Sequence, residues 1–300
     1  MKLWCFNDPK GWGRDLCKAA IERGHKARLF TSPEGVDGGY CFMHIRQYAP
    51  DIGIDQSMAE ALNDRTTLIP DIDQIRLYED KEKQHQTFSH WMPETRIFHS
   101  NDEVEYLRFP FVSKSKTGAA SINVRLIQNR AEADWESGLV FGPGLKIHKG
   151  VQRGYLIWQR LLEGNPGDYR VIRIGRQHMM LRRWNRANKP MASGSGKFTA
   201  ITELDDETAA VLETSKQFFD EFRTKWCGID LVQDPDTLEW KVLESTVGWT
   251  FKVYLDCRFI GTDFYGRDTW TVLLNEIEAG AFADITSARR EVRAPLQNVI

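Results

Sequence analysis

The sequence has no apolar run approaching the ~18 residues that a bilayer span requires, so no membrane span is expected. It has little excess charge of either sign. The 40 Lys and Arg stand against 42 Asp and Glu, a net charge of −2, which gives no global field drawing nucleic acid or an anionic membrane. Cysteine is sparse: Cys5, Cys17, Cys41, Cys227 and Cys257 are odd in number and lack metal-type spacing. Neither a disulfide framework nor a zinc site is expected, and reduced thiols in a cytoplasmic protein are the reading. The seven histidines form no HxxxH pair and no GxSxG elbow is present, which removes the sequence support for a zinc hydrolase or a His-based triad. The opening MKLWCFNDPKGWGRD carries charges and a proline where a secretory leader needs an uninterrupted apolar stretch.

What is present is an ordinary globular composition, with 41% hydrophobic and 27% charged residues. Three hundred residues allow two or three modest domains. The first segment reads as strand (LWCF), turn-rich loop (NDPKGWG), helix (Asp15 to Gly24) and strand (ARLF), a small parallel α/β unit. GYCFMHI reads as a third strand and SMAEALND as a short helix. Asp71 to Trp91 reads as one long polar helix, followed by the strand MPETRIF and a charged helical stretch. FPFVSKSKTGAASINVRLI reads as strand, small-residue loop and strand. GLVFGPGLKIHKG and GYLIWQRLL read as further strands. DYRVIRIG and HMMLRRW pair as a hairpin through Gly175-Arg176-Gln177. A helix from Asp206 to about Lys225 precedes two strands, GIDLVQ and WKVLES, joined at DPDT.

Three constellations bear on chemistry. In KSKTGAAS, a strand-ending lysine precedes Gly118, Ala119, Ala120 and Ser121, whose backbone N–H groups can wrap an anion. Walker A spacing is absent, and taken alone the segment reads first as an ordinary hairpin loop with solvated lysines. In GIDLVQDPDTLEWKVLES, the turn brings Asp230 and Glu244 to the same end of adjacent strands. Paired carboxylates among apolar neighbours are costly unless a cation lies between them, and an oxygen-only ligand set favours Mg²⁺. The alternative is two rim carboxylates that never meet. The third is the run Arg153, Arg160, Arg170, Arg173, Arg176, Arg182, Arg183 and Arg186. Strand alternation lets only one face of it reach a cleft, so two or three of these arginines are expected to be functional and the others surface charges. With Trp184 the same run also reads as a nucleic-acid stacking patch, the less favoured option at this net charge.

The order of these segments resembles the ATP-grasp superfamily over roughly residues 70 to 250, in particular its branch of ribosomal-protein glutamate ligases and related amino-acid and peptide ligases. The succession is EDKEKQHQTFSHWMPETRIF, FPFVSKSKTGAASINVRLI, YLIWQRLLEGNPGDYRVIRIG, LRRW and GIDLVQDPDTLEWKVLES. The resemblance implies an α/β fold: an N-terminal parallel α/β domain over 1–70, then a two-lobed core over 71–150 and 151–285, with a tail over 286–300. It implies that Lys81 and Lys114 hold ATP phosphates under a flap built from Gly118, Ala119 and Ser121. It implies that the Gln159-Arg160-Leu161-Leu162 hinge meets adenine, that Asp168 approaches the ribose and that Arg170 supports the site. Arg183 falls where the family places an arginine against an acyl-phosphate, and Asp230 and Glu244 match its magnesium carboxylates. One departure stands at Glu244-Ser245-Thr246, where the family pattern is Glu-x-Asn and Thr246 offers a hydroxyl. PMASGSGKF departs as well, lacking the arginine and asparagine of the pattern.

The implied activity is ATP- and Mg²⁺-dependent joining of a small-molecule or peptide carboxylate to an amine, with the N-terminal domain and the loops near Trp184 and Trp249 expected to shape the acceptor pocket. A nucleotide-binding protein altered in catalysis, a kinase on the same fold and an Arg/Trp-rich nucleic-acid module remain as alternatives. A homodimer is the default expectation for a soluble enzyme.

Overall fold

The computed structural model describes residues 1–46, 51–116, 123–148, 150–186, 197–249 and 253–283. The small residues Gly118, Ala119 and Ser121, most of PMASGSGKF and the 286–300 tail lie outside the described residues.

The chain begins with β1 (Lys2–Phe6), α1 (Trp12–Glu22), β2 (Lys26–Phe30), β3 (Tyr40–Phe42), α2 (Asp51–Asn63) and β4 (Thr67–Ile69). Their strands form a parallel sheet in the order β2-β1-β3-β4, the α/β unit read from the strand–helix alternation. Next come α3 (Ile72–Leu77), α4 (Lys81–Phe88), β5 (Thr95–Phe98), β6 (Phe111–Lys114), β7 (Val124–Ile127), α5 (Arg130–Val140), the hairpin β8 (Leu145–Ile147) and β9 (Gly150–Gln152), and β10 (Leu156–Arg160). Strands β5, β10, β6 and β7 pair in that order, all antiparallel. The remainder is β11 (Gly167–Ile174), β12 (Gln177–Trp184), β13 (Phe198–Ile201), α6 (Asp206–Glu221), β14 (Trp226–Gln233), β15 (Trp240–Thr246) and α7 (Thr269–Glu278). These strands build a five-stranded antiparallel sheet ordered β13-β12-β11-β14-β15.

Local chemistry accounts for the places where the elements differ from the sequence reading. Asp71 to Trp91 is two helices and a 3-10 turn rather than one helix. Asp71 caps the first by accepting from the Asp73 and Gln74 N–H groups. The chain then breaks at Glu79, whose φ of 57° is left-handed, and Asp80 restarts it by accepting from Lys83 N–H. The charged stretch near residue 100 is only a short 3-10 turn, Asn101–Glu103. Residues 138–140, read as part of a strand, end α5, which Asn129 caps and which buries Ala133, Glu136, Ser137 and Val140 at helical spacing. Helix α6 stops at Glu221, four residues short of the expected end, and starts at a reciprocal Asp205–Thr208 capping box.

Three apolar clusters hold these layers. The largest joins the parallel sheet to α7 and to one face of the five-stranded sheet, through Ile172, Ile174, Met179, Leu181 and Trp226. The opposite face of that sheet, with Val171, Met180, Ile229 and Leu231, packs on Val211, Leu212, Phe218 and Phe219 of α6. The third lies under β5, β10, β6 and β7 and is centred on Phe111 and Trp158. All five cysteines are free and buried. No helix among the described residues is long and apolar enough to cross a membrane.

Two buried histidines give the fold an acid liability. His44 and His178 are each held at a pKa of about 4, chiefly by burial, against an ordinary value of 6.5. The unfolded chain therefore takes up these protons near pH 6.5 and the folded chain only near 4, so stability falls as pH drops through that window. At about 1.4 kcal/mol per unit, each histidine removes up to about 3 kcal/mol. Urea midpoints are expected to fall steeply between pH 7 and 5, and His178→Gln should flatten the slope. A wild-type midpoint unchanged over that range would contradict this account.

Candidate active site

Strand alternation builds the site. Along β11 the side chains of residues 168, 170, 172 and 174 share one face, and the last two are the core residues Ile172 and Ile174. On β12 the same face carries Arg183 before Leu181 and Met179, and on β14 it carries Asp230 before Gly228 and Trp226. One face of the sheet thus changes from apolar to ionic toward one end. Register then sets the neighbours. Asp168 lies opposite Arg183, Arg170 opposite Asp230, and Asp230 opposite Glu244. Gly167 permits the first of these pairings, since a Cβ there would stand 1.9 Å from the Arg183 carbonyl oxygen.

The result is an alternating row of charge. Arg183 donates to both oxygens of Asp168, at 2.5 and 2.8 Å, and its Nη2 lies 2.6 Å from Asp230 Oδ2. Arg170 donates through Nε to Asp230 Oδ1 and through Nη2 to Oδ2 at 2.6 Å. The same Nη2 reaches Glu244 Oε1 at 3.5 Å. Burial alone would raise the Asp230 carboxyl, but the two guanidinium groups overturn it and hold Asp230 well below the usual carboxylate range. Burial dominates at Asp168 and raises its pKa despite Arg183. The cation between Asp230 and Glu244 is therefore Arg170, and Arg183 stands between Asp230 and Asp168. The Arg170–Asp230 and Arg183–Asp168 pairs are bidentate and strong.

A second sheet brings the lysines. Lys114 ends β6 opposite Ile157 of β10. Its Nζ donates to Gln159 Oε1 at 2.6 Å and approaches the Leu243 carbonyl oxygen at 3.5 Å. Gln159 is in turn anchored by donating to Thr95 Oγ1 at 2.9 Å. Burial pushes the Lys114 ammonium down to about 8, with Lys81 adding to the fall and Glu244 and Asp230 opposing it. Lys81 is buried in the first turn of α4. Lys116 is drawn away, to Glu82 at 2.8 Å and Asp80 at 3.8 Å.

The structure thus brings Lys81, Lys114, Arg170, Asp230 and Glu244 into one electrostatic unit, with Arg183 and Asp168 along its edge. Leu161 and Leu162 follow the end of the β10 ladder at Arg160, and Leu162 is buried. The Arg160 side chain turns to Asp234 and Asp236. Thr246 directs its hydroxyl to the Gly248 carbonyl oxygen at 2.7 Å and accepts from Gly248 N–H at 3.2 Å. Of the other arginines, Arg173 pairs with Asp220, Arg176 with Glu276, and Arg182 stacks on Tyr169 and Trp184. Sequence reasoning did not find Gln159 as the partner of Lys114, nor Tyr254, a buried phenol within electrostatic reach of Arg170 and Asp230. No local pattern signals either, because both contacts are tertiary.

The donor set bears on whether a hard divalent cation suits the site. Mg²⁺ takes one or two carboxylates and fills its remaining positions with phosphate oxygens and water. Asp230 and Glu244 supply two carboxylates. Asp230 Oδ2 already accepts from both arginines, so a cation would take the remaining lone pair of Oδ1 and the Glu244 carboxylate, whose side chain is 28% exposed, and the pair fits on those terms. The Thr246 hydroxyl serves the turn at Gly248.

No family model matches the chain, and no curated protein matches it. Solved structures do. An ATP-grasp RimK-domain protein from Sphaerobacter thermophilus aligns over 92% of this chain and 99% of its own, with TM-score 0.56 and 14% identity. D-alanine–D-alanine ligase from Bacillus anthracis aligns over 95% and 97%, with TM-score 0.57 and 12% identity. The macrocyclase MdnC from Microcystis aeruginosa, bound to its precursor peptide MdnA, aligns over 92% and 100%, with TM-score 0.59 and 14% identity. At such identities the likeness is one of fold.

Proposed function

We propose, from the ATP-grasp fold that this chain adopts, that it is an ATP-dependent ligase joining a carboxylate to an amine through an acyl-phosphate. The observation that carries this reading is the convergence of Lys114 with the Arg170–Asp230–Glu244 row, two sheets meeting in one buried charged centre. D-alanine–D-alanine ligase and L-amino acid ligase among the structural neighbours agree with this chemistry.

In this reading the substrate carboxylate attacks the γ-phosphorus of ATP and ADP leaves. The amine then attacks the acyl carbon, inorganic phosphate leaves, and the amine nitrogen loses a proton. Catalysis of such a transfer rests on positioning and charge neutralisation. Lys81 and Lys114 hold phosphate oxygens, and Gln159 fixes the Lys114 ammonium. Asp230 and Glu244 would hold Mg²⁺, which supplies charge neutralisation at the phosphates when bound. Arg183 and Arg170, held by their carboxylate pairs, would present their remaining N–H donors to charge developing on the transferring group. No protein nucleophile is required. The acids and amines are small molecules or peptides, and cytoplasmic placement belongs to the same proposal.

Sustained ADP production over many turnovers should require both an acid and an amine, and the product mass should equal their sum less one water. The turn that holds the Thr246 hydroxyl favours a second reading, a nucleotide-binding protein that does not ligate. It predicts ATP binding with no ADP from any acid and amine mixture. A phosphorylated acceptor as the final product would instead mark a kinase.

A further inference from the structure

We propose that Gln84 is a positioning residue that sets the phosphate lysine and the metal carboxylate in register, an inference that rests on the ligase reading above. Strand β15 is an edge of the five-stranded sheet, so the backbone groups on its outer side need partners from outside the sheet. At Ser245, between Glu244 and Thr246, one side chain supplies them. Gln84 Nε2 donates to the Ser245 carbonyl oxygen at 3.0 Å, and Gln84 Oε1 accepts from the Ser245 N–H at 3.0 Å. The amide thus serves Ser245 as a neighbouring strand would, one donor and one acceptor to the same residue. The second hydrogen of Nε2 goes to the Leu77 carbonyl oxygen at 3.0 Å, which ties in the end of α3.

The placement of these bonds gives them a functional direction. Gln84 is 2% exposed, so its amide has no solvent alternative, and its three bonds use both donors and one acceptor lone pair. It lies three residues after Lys81 on α4, and positions i and i+3 share a helix face. The helix that carries Lys81 is therefore tied through Gln84 to the backbone beside Glu244. Phe88 of the same helix packs in the apolar cluster of that sheet, a contact that resists sliding less than directional bonds do.

The test compares wild type with Gln84→Met, which keeps length and loses all three bonds. ATP with Mg²⁺ is titrated by calorimetry into each protein, and amide exchange at Ser245 is followed by NMR, both far below the melting temperature. The expected result is roughly tenfold weaker ATP binding, about one strong hydrogen bond's worth, together with faster Ser245 exchange in a folded variant. Gln84→Asn, which keeps the amide but is one methylene shorter and so weakens the reach to Ser245, should fall between the two and carries the comparison if the methionine variant does not fold. Faster exchange with ATP affinity within twofold of wild type would make the clamp structural only and overturn the proposal. No ATP binding by wild type would overturn the ligase reading, and this role with it.

Discussion

Asp230→Asn is expected to destabilise the protein by about 3–5 kcal/mol, the cost of removing one partner from a buried ion pair. The substitution keeps volume and shape, so the loss is electrostatic. Asp230 accepts from Arg170 through both oxygens and from Arg183 through one. Arg183 retains Asp168, whereas Arg170 is left with Glu244 at 3.5 Å as its remaining carboxylate. A guanidinium buried with one distant counter-charge is the expensive species here. Urea unfolding at pH 7 reads the effect directly, and a difference under about 1 kcal/mol would show that the row is solvated rather than buried. The same variant should bind ATP with less dependence on Mg²⁺.

Lys114→Ala separates binding from stability in the opposite way. Its ammonium is held at a pKa of about 8 because burial disfavours the charge more than Glu244 and Asp230 favour it. Removing it relieves that cost, and Gln159 keeps its bond to Thr95, so the melting temperature should change little. ATP affinity should fall roughly 10- to 100-fold, the value of one or two charge-assisted hydrogen bonds at 1.4 kcal/mol per decade, and turnover should be lost. Full activity in this variant would remove Lys114 from the site.

The parts of this molecule legible in its sequence are those decided locally. The hairpin from Trp226 to Thr246 follows from strand periodicity and the DPDT turn, and with it the facing of Asp230 and Glu244. The hairpin from Gly167 to Trp184 was equally legible, since Gly175 takes the left-handed turn position at φ 61°. The break at Glu79 was not, because a non-glycine residue there adopts a left-handed conformation that no propensity favours. Helix α5 was hidden by its ending in Gly138-Leu139-Val140, residues that read as strand when their Asn129 cap is overlooked. Within the candidate site, the charged residue types were visible but their pairing was not. Two carboxylates required a cation, and alternation along β11 sends Arg170 between them while β12 sends Arg183 beside Asp230. The contacts of Gln84 with Ser245 span 161 residues, and only the folded chain reveals them.

The proposed function places a magnesium-assisted nucleotide site at the meeting of the two sheets. Calorimetric titration of ATP into wild type, with Mg²⁺ and with chelator, beside Glu244→Ala, tests it without knowledge of the acceptor. The account predicts saturable binding that strengthens with Mg²⁺ and loses that gain in Glu244→Ala, whose carboxylate is the more open of the pair. No heat at millimolar ATP, or binding indifferent to both Mg²⁺ and Glu244, would contradict it.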